Sequence, residues 1–455
     1  MAKRLARTRV DTVSLAMAAI ILLCALLLAK GSTTRIALAV AVVAVPLATY
    51  AALRRPLLFP YALYVLLVPF DNLLLVSSFG TLTKLLGILS GFAVVFWCLR
   101  VKHIALPPHA MYALVALLCW ALASMYWTVS GAETIAALPQ YLSLALLYAA
   151  LAITPVTLQE FRWLLGATAI GGIAAAAYGI HQFYGNPFDI AGNLLTARLV
   201  IQAGNATIDP NQFADALLFP TAIVTMFALR TRWLLLKTAG FAGIALMVAA
   251  IALSASREAL LGVGVIVAYY LWRTRYRLEM GIVVICGLAA TFFVQSSMWL
   301  RFGRAIATGG AGRLSIWSVG FEAFRHRWLA GYGMGNFTAA YDDYYLKTPQ
   351  GYPYGWSSPP HNLLVQVGVE LGIIGLVLLA WFFVATFRDL AVIDRDHPRY
   401  EDRVMMEAAL IALIFVSMFI GLFTYKYAWL VIATAAQLRL VAQNESARRR
   451  AARAP

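Results

Sequence analysis

The sequence predicts an all-α, polytopic helical membrane protein with about 12 transmembrane helices (12–14) and a small, mostly helical extramembrane insert. Three observations carry this. Apolar residues make up 62% of the 455-residue chain and charged ones only 12%, with a mean hydropathy of +0.78. That leaves too little polar surface for a soluble domain of this length. Charge-free runs recur at Val13–Ala29, Ile36–Leu53, Ile104–Ala132, Trp163–Phe188, Thr238–Ser256, Ile282–Leu300, Leu371–Phe387 and Ala408–Tyr425, and a spanning helix takes ~20 predominantly apolar residues. The apolar–polar alternation of a barrel strand is not seen in them.

Taken in order, Met1–Arg9 is basic, and Val13–Ala29 lacks a small-residue cleavage site, so it reads as a first anchor. The net charge of +16 does not require nucleic acid, because the basic residues cluster at helix ends. They include Lys3, Arg4, Arg7 and Arg9; Arg54 and Arg55; Arg100 and Lys102; Arg230 and Arg232; Arg273, Arg275 and Arg277; and Arg448 to Arg450. The positive-inside rule puts those loops in the cytoplasm, so both termini are expected there and the number of spans is even. The four cysteines, Cys24, Cys98, Cys119 and Cys286, fall inside apolar runs, so neither a disulfide framework nor a thiolate metal site is expected.

The resulting organisation has N-terminal transmembrane helices over 1–183, a loop on the opposite side at 184–212, and transmembrane helices over 213–297 flanking a short turn, Ser254–Glu258. An insert follows at 298–360, then C-terminal transmembrane helices at 361–441 and a basic cytoplasmic tail at 442–455. The insert contains GGAGR at Gly309–Arg313, a helical-looking stretch at Leu314–Arg327 and a GYGMGNF turn at Gly331–Phe337. Long loops in compact proteins are usually functional or disordered.

The insert ends on SSPPHNLLVQVGVELGIIG, residues 357–375. Pro359 and Pro360 stop what precedes them, and a helix is expected to start at His361. That places a titratable ring at the water-facing lip, above a stripe of Asn362, Gln366 and Glu370 facing the bundle interior. Interhelical hydrogen bonding is the favoured role for the stripe, and close helix packing for the Gly368–Gly372 pair. Arg198, Arg257 and Arg313 stand among small residues near membrane boundaries on the non-cytoplasmic side. Each could be a snorkelling arginine, but Arg257 lies in a turn too short to leave the apolar context. Converging guanidinium groups would suit a phosphate-bearing ligand, whose oxygens match the planar fork. Asp342–Asp343 could be read as a metal-binding pair, although no histidine or further carboxylate stands at ligand spacing. The aromatics near it (among them Trp317, Trp328, Tyr332, Tyr344 and Trp356) could form an interfacial belt or stack on sugars.

In this order, SASRE, GRLSIW, GYGMGNF and PPHNLLVQVGVELGIIG resemble the O-antigen ligase/polymerase family over about Ala239–Gly375, with a weaker echo at Arg198–Pro220. The resemblance implies a GT-C-like glycosyltransferase of the bacterial inner membrane with a periplasmic active site. Its donor would be O-antigen linked to undecaprenyl pyrophosphate, its acceptor a hydroxyl of the lipid A–core oligosaccharide, and no cofactor or metal would be needed. By the same resemblance His361 is the functional histidine, Arg257 and Arg313 the functional arginines, and Arg198 a looser match. An O-antigen polymerase and a protein oligosaccharyltransferase share that donor chemistry. A lipid-linked sugar transporter is the alternative from another class, but the polar chemistry gathers on one face and no second half mirrors the first.

Overall fold

The computed structural model describes residues 46–75, 80–102, 104–185, 198–203, 206–281, 284, 303, 312–348 and 355–453. The run Val13–Ala29, most of Ile36–Leu53 and nearly all of Ile282–Leu300 lie outside the described residues. The described chain is almost wholly helical. A bent pair, Pro46–Arg54 and Leu57–Phe70, meets at 108° and precedes α1 (Leu82–Val101), α2 (His109–Ala123), α3 (Gly131–Ala152) and α4 (Leu158–Gly185). A two-stranded antiparallel ribbon, Gln202–Ala203 with Ala206–Thr207, leads into α5 (Pro210–Ala216), α6 (Leu218–Arg230), α7 (Leu234–Leu253) and α8 (Arg257–Arg273). The insert supplies α9 (Arg313–His326) and α10 (Phe337–Tyr345), and the chain closes with α11 (Leu363–Leu390), α12 (Tyr400–Val416) and α13 (Lys426–Arg453). The last of these carries one continuous helix through the expected boundary at 441.

Among the described residues seven helices are long and apolar enough to cross a membrane, or eight if the bent pair counts as one span. The protein is a helical membrane protein. Apolar side chains such as Phe92, Trp163 and Val377 face outward, as lipid solvent allows. The span Pro210–Arg230 is instead 89% buried, and α4, α7, α8 and α12 pack around its α6 part.

Side chains start several of these helices. Thr81 accepts from Lys84 N at α1, Ser130 from Glu133 N at α3, and Asp209 from Asn211 and Gln212 N at α5, where Pro210 occupies the first turn. Each satisfies an orphan donor of the first turn. At the far ends of α6 and α8, arginines expected as loop charges are paired. Arg230 reaches Glu401 (2.9 Å) and Asp402 (2.5 Å), and Arg273 reaches Glu407 (3.7 Å), which Arg403 also contacts at 2.7 Å.

The long helix α11 is where the structure departs most from the expectation. It begins at Leu363, not His361: the Asn362 side chain accepts from Leu364 and Val365 N, while His361 stands outside with φ +46°. It is then broken at Gly372 (φ +69°, ψ −165°). A straight helix keeps residues eight apart ~12 Å away from one another. Here a Cβ on Gly375 would lie 3.3 Å from Val367 Cγ1, and one on Gly368 would lie 3.4 Å from Leu376 Cδ1. The helix therefore folds back sharply at Gly372, and what reads as a small-residue packing pair is a packing glycine followed by a hinge.

The break frees backbone groups that apolar surroundings cannot satisfy. The insert satisfies them. Tyr332 N donates to Val369 O (2.9 Å), Gly333 N to Glu370 O (2.8 Å), and Ile373 N to Trp328 O (2.8 Å). Trp120 Nε1 of α2 donates to Leu371 O at 2.9 Å. The chains run so close that a Cβ on Gly372 would lie 2.2 Å from Leu329 O, and one on Gly331 (φ +72°) would lie 2.5 Å from Glu370 O. Gly372→Ala should thus add a disfavoured φ, costing ~1–3 kcal/mol, to a backbone clash. Gly368→Ala meets only ordinary contacts and should be mild. Thermal unfolding in detergent checks the pair: a clear drop for Gly372→Ala, little change for Gly368→Ala.

Candidate active site

The three segments expected to hold the chemistry meet at the Ser254–Glu258 turn. Ala255 there adopts φ +54°, and the turn is held by Ser254 Oγ donating to Ile251 O (2.6 Å) and Ser256 N donating to Ser254 Oγ (3.2 Å). The segment after the first loop lies against it, since Leu199 N donates to Leu253 O at 2.8 Å. Arg198 then reaches the turn: its Nε donates to Ser254 O (2.8 Å) and its Nη2 to Asn211 Oδ1 (2.6 Å). Arg257 is half-buried as the first residue of α8. Arg313, first residue of α9, places Nη2 3.1 Å from Glu258 Oε1, with its side chain 16% and that of Glu258 4% exposed. Arg198 and Arg313 thus make direct contact with the turn that Arg257 belongs to.

His361 joins this cluster through the turn after α12. Leu363 N donates to Ser417 O (2.8 Å) and Asn362 Nδ2 to Met418 O (3.0 Å). The next residue, Phe419, lies under the Arg313 guanidinium, 5.7 Å from ring centroid to Cζ. Trp317 Nε1 of α9 donates to Pro360 O at 3.2 Å, so the double proline is fixed against the insert. Partial burial disfavours the charged ring and the positive Arg313 does so further, while Asp209 and Glu258 oppose them less; the His361 pKa is lowered overall. The ring is therefore neutral near pH 7.

The polar stripe holds α11 in place. Asn362 caps the helix, Gln366 Nε2 reaches Tyr141 OH (3.1 Å) and Glu370 Oε1 (3.2 Å), and Glu370 Oε2 accepts from Gly335 N (3.0 Å). A cavity of about 50 Å³ lies beside Gln366 and Glu370, lined mostly by apolar residues of α2 and α11 together with Phe423 and Trp429. Asp342 is engaged by Ser357, through N (2.7 Å) and Oγ (3.2 Å). Among the described residues no three His, Cys, Asp or Glu side chains gather to hold a metal ion.

Sequence reasoning missed the carboxylates. Glu258 is adjacent to Arg257 in SASRE, but nothing in that spacing says it pairs with a residue 55 positions on. Asp209 was legible as a helix cap, since Asp before Pro at the first position is a start signal. It also missed Asn336, fully buried, whose Nδ2 meets Thr128 Oγ1 (2.7 Å) and Thr134 Oγ1 (2.8 Å) while its Oδ1 accepts from Ser130 N (2.8 Å).

The electrostatics give a direct test. His361 should titrate below the ordinary ~6.5, and Arg313→Gln should raise its pKa while Glu258→Gln lowers it further. The sign for stability follows: between the two pKa values the unfolded chain takes up the proton that the folded ring refuses. Stability from this group is therefore present above pH ~6.5 and is lost as pH falls towards the folded value. Histidine-selective NMR of labelled protein in detergent reads the wild type and both variants; a wild-type ring titrating at or above ~6.5 contradicts the arrangement.

Residues 242–380 match the family model described as O-Antigen ligase. No curated protein matches the chain. The matched segment takes in the Ser254–Glu258 turn, α9, the Gly331–Phe337 loop, His361 and the break in α11, and it leaves Arg198 outside. Over this region, under half of the chain, the protein is similar to the O-antigen ligase family.

Proposed function

We propose that the protein is an O-antigen ligase. It transfers O-antigen polysaccharide from undecaprenyl pyrophosphate to a hydroxyl of the lipid A–core oligosaccharide, on the periplasmic side of the bacterial inner membrane. The observation that supports this reading best is the convergence of Arg198, Arg257 and Arg313 on one turn, with neutral His361 beside them. Glycosyl transfer breaks the bond between the anomeric carbon and the diphosphate oxygen. The electron pair leaves with undecaprenyl pyrophosphate, whose growing charge the guanidinium groups stabilise by preorganised electrostatics. The acceptor oxygen bonds to the anomeric carbon as its proton passes to His361, acting as general base, an effect worth ~10²–10⁴ in rate.

The carboxylates fit this role. Glu258 holds Arg313 through Nη2 alone, and a guanidinium has five donors in a fixed fork. A diphosphate can therefore approach an arginine already oriented. Metal independence follows from the same assignment, because the arginines carry the leaving-group charge.

The experiment is turnover of purified protein in lipid with undecaprenyl-pyrophosphate-linked O-antigen and lipid A–core. His361→Ala and His361→Gln should lower the chemical step by ~10²–10⁴ while donor binding persists, and both should lose the acidic limb of the pH profile. Arg257→Lys keeps the charge but loses the fork and should impair transfer, and Arg257→Ala should nearly abolish it. EDTA should leave the wild-type rate unchanged. Wild-type turnover by His361→Gln would reduce the histidine to a positioning group, and collapse with chelator would overturn the arginine assignment. Transfer to lipid-linked O-antigen or to protein in place of lipid A–core would assign the polymerase or oligosaccharyltransferase chemistry instead.

A further inference from the structure

The inner face of α9 is accounted for. Ile316, Val319 and Ala323 are buried in a small cluster with Phe337, Tyr341 and Val369, and Gly320 lets Val365 approach within 2.7 Å of where a Cβ would be. The outer face is not what water would select. Leu314 and Phe321, seven residues and so almost two turns apart on one stripe, are 56% and 61% exposed, and Trp328 and Leu329 just beyond the helix are 55% and 51% exposed. Arg325 and Arg327 stand exposed among them. An apolar stripe bordered by arginines and tryptophan is the pattern of a helix lying in a membrane interface.

The fold sets its depth. From the break to its end, Ile373–Leu390 is ~27 Å long at ~1.5 Å per residue, which matches the ~30 Å hydrocarbon core. The break at Gly372 then marks a membrane boundary, and Trp328, whose carbonyl accepts from Ile373 N, sits at that level. The first half of α11 turns aside there, and α9 runs parallel beside it, Trp317 meeting Pro360, Gly320 meeting Val365 and Phe324 lying near Gly368. The spanning half of α11 likewise presents Val377, Trp381 and Val384 outward.

We propose that α9 is a membrane-surface helix: its Leu314–Phe321 stripe, with Trp328 and Leu329, is immersed in the headgroup–acyl boundary of the same bilayer the protein spans, and Arg325 and Arg327 contact lipid phosphates. This holds whatever reaction the protein catalyses.

The test uses the full chain in vesicles containing anionic lipid, with Cys24, Cys98, Cys119 and Cys286 replaced by Ala and a nitroxide attached at Phe321→Cys. Val377→Cys serves as the lipid reference and Arg395→Cys, in the exposed loop before α12, as the aqueous one. Collision with oxygen relative to a water-soluble nickel chelate should be several-fold higher at 321 than at 395, and close to the value at 377. In the Leu314→Glu/Phe321→Glu variant, a label at Trp328→Cys should become several-fold more accessible to the chelate. A value at 321 equal to that at 395 places α9 in water, and a label reached by neither agent means that another segment of the chain covers the face; either result overturns the proposal.

Discussion

The structure turns on a constraint with no slack: backbone groups released inside an apolar bundle must find partners from the protein itself. Breaking α11 at Gly372 releases the carbonyls of Val369, Glu370 and Leu371 and the amide of Ile373. The loop of residues 328–335 and the indole of Trp120 answer all four. The Glu370 carboxylate in turn accepts from Gly335 N, so loop and helix hold one another. An unsatisfied group of this kind costs several kcal/mol, which explains why the GYGMGNF loop cannot drift from the helix it completes. The position of α9, and with it of Arg313, is inherited from that fit.

The second feature is a charge balance. A bare cluster of arginines near a membrane would repel itself and sample many rotamers. Here Arg313 is held by Glu258 and by the Phe419 ring, and Arg198 by a carbonyl and an amide oxygen. Neutral and singly charged partners restrain a guanidinium without exhausting its donors. The same carboxylates limit how far Arg313 can depress the His361 pKa, since Glu258 and Asp209 favour the protonated ring that Arg313 and burial disfavour.

Legibility divides along a physical line. The helical membrane class was readable because apolar run length is a property of local composition. The gathering of Arg198 and Arg313 at the Ser254–Glu258 turn was suggested by their placement near predicted boundaries, though not the partners they take. The start of α11 was misjudged by two residues, because Pro359 and Pro360 mark a stop whereas Asn362 makes the cap. The break was missed because Gly368 and Gly372 look alike in sequence: only the carbonyl of Leu329, 43 positions away, decides that one of them must adopt φ +69°. Pairings such as Arg313–Glu258 and Asn336–Thr134 depend on tertiary distance and leave no periodic trace.

The order of motifs along the chain has a mechanical meaning. Starting from the Ser254–Glu258 turn, Glu258 grips Arg313 at the head of α9. Trp317, one turn on, grips Pro360 beside His361, and Trp328 and Gly333 beyond its tail grip the break in α11. From the break, the first half of α11 leads back to Leu363 and Asn362, beside His361; Ser417 and Met418 tie these two residues to the loop carrying Phe419 under Arg313. The elements form a closed ring of contacts, so a displacement of α9 must strain either the ion pair at its head or the backbone bonds at its tail. The tail bonds join backbone to backbone, whereas Arg313 keeps other donors besides the one that meets Glu258.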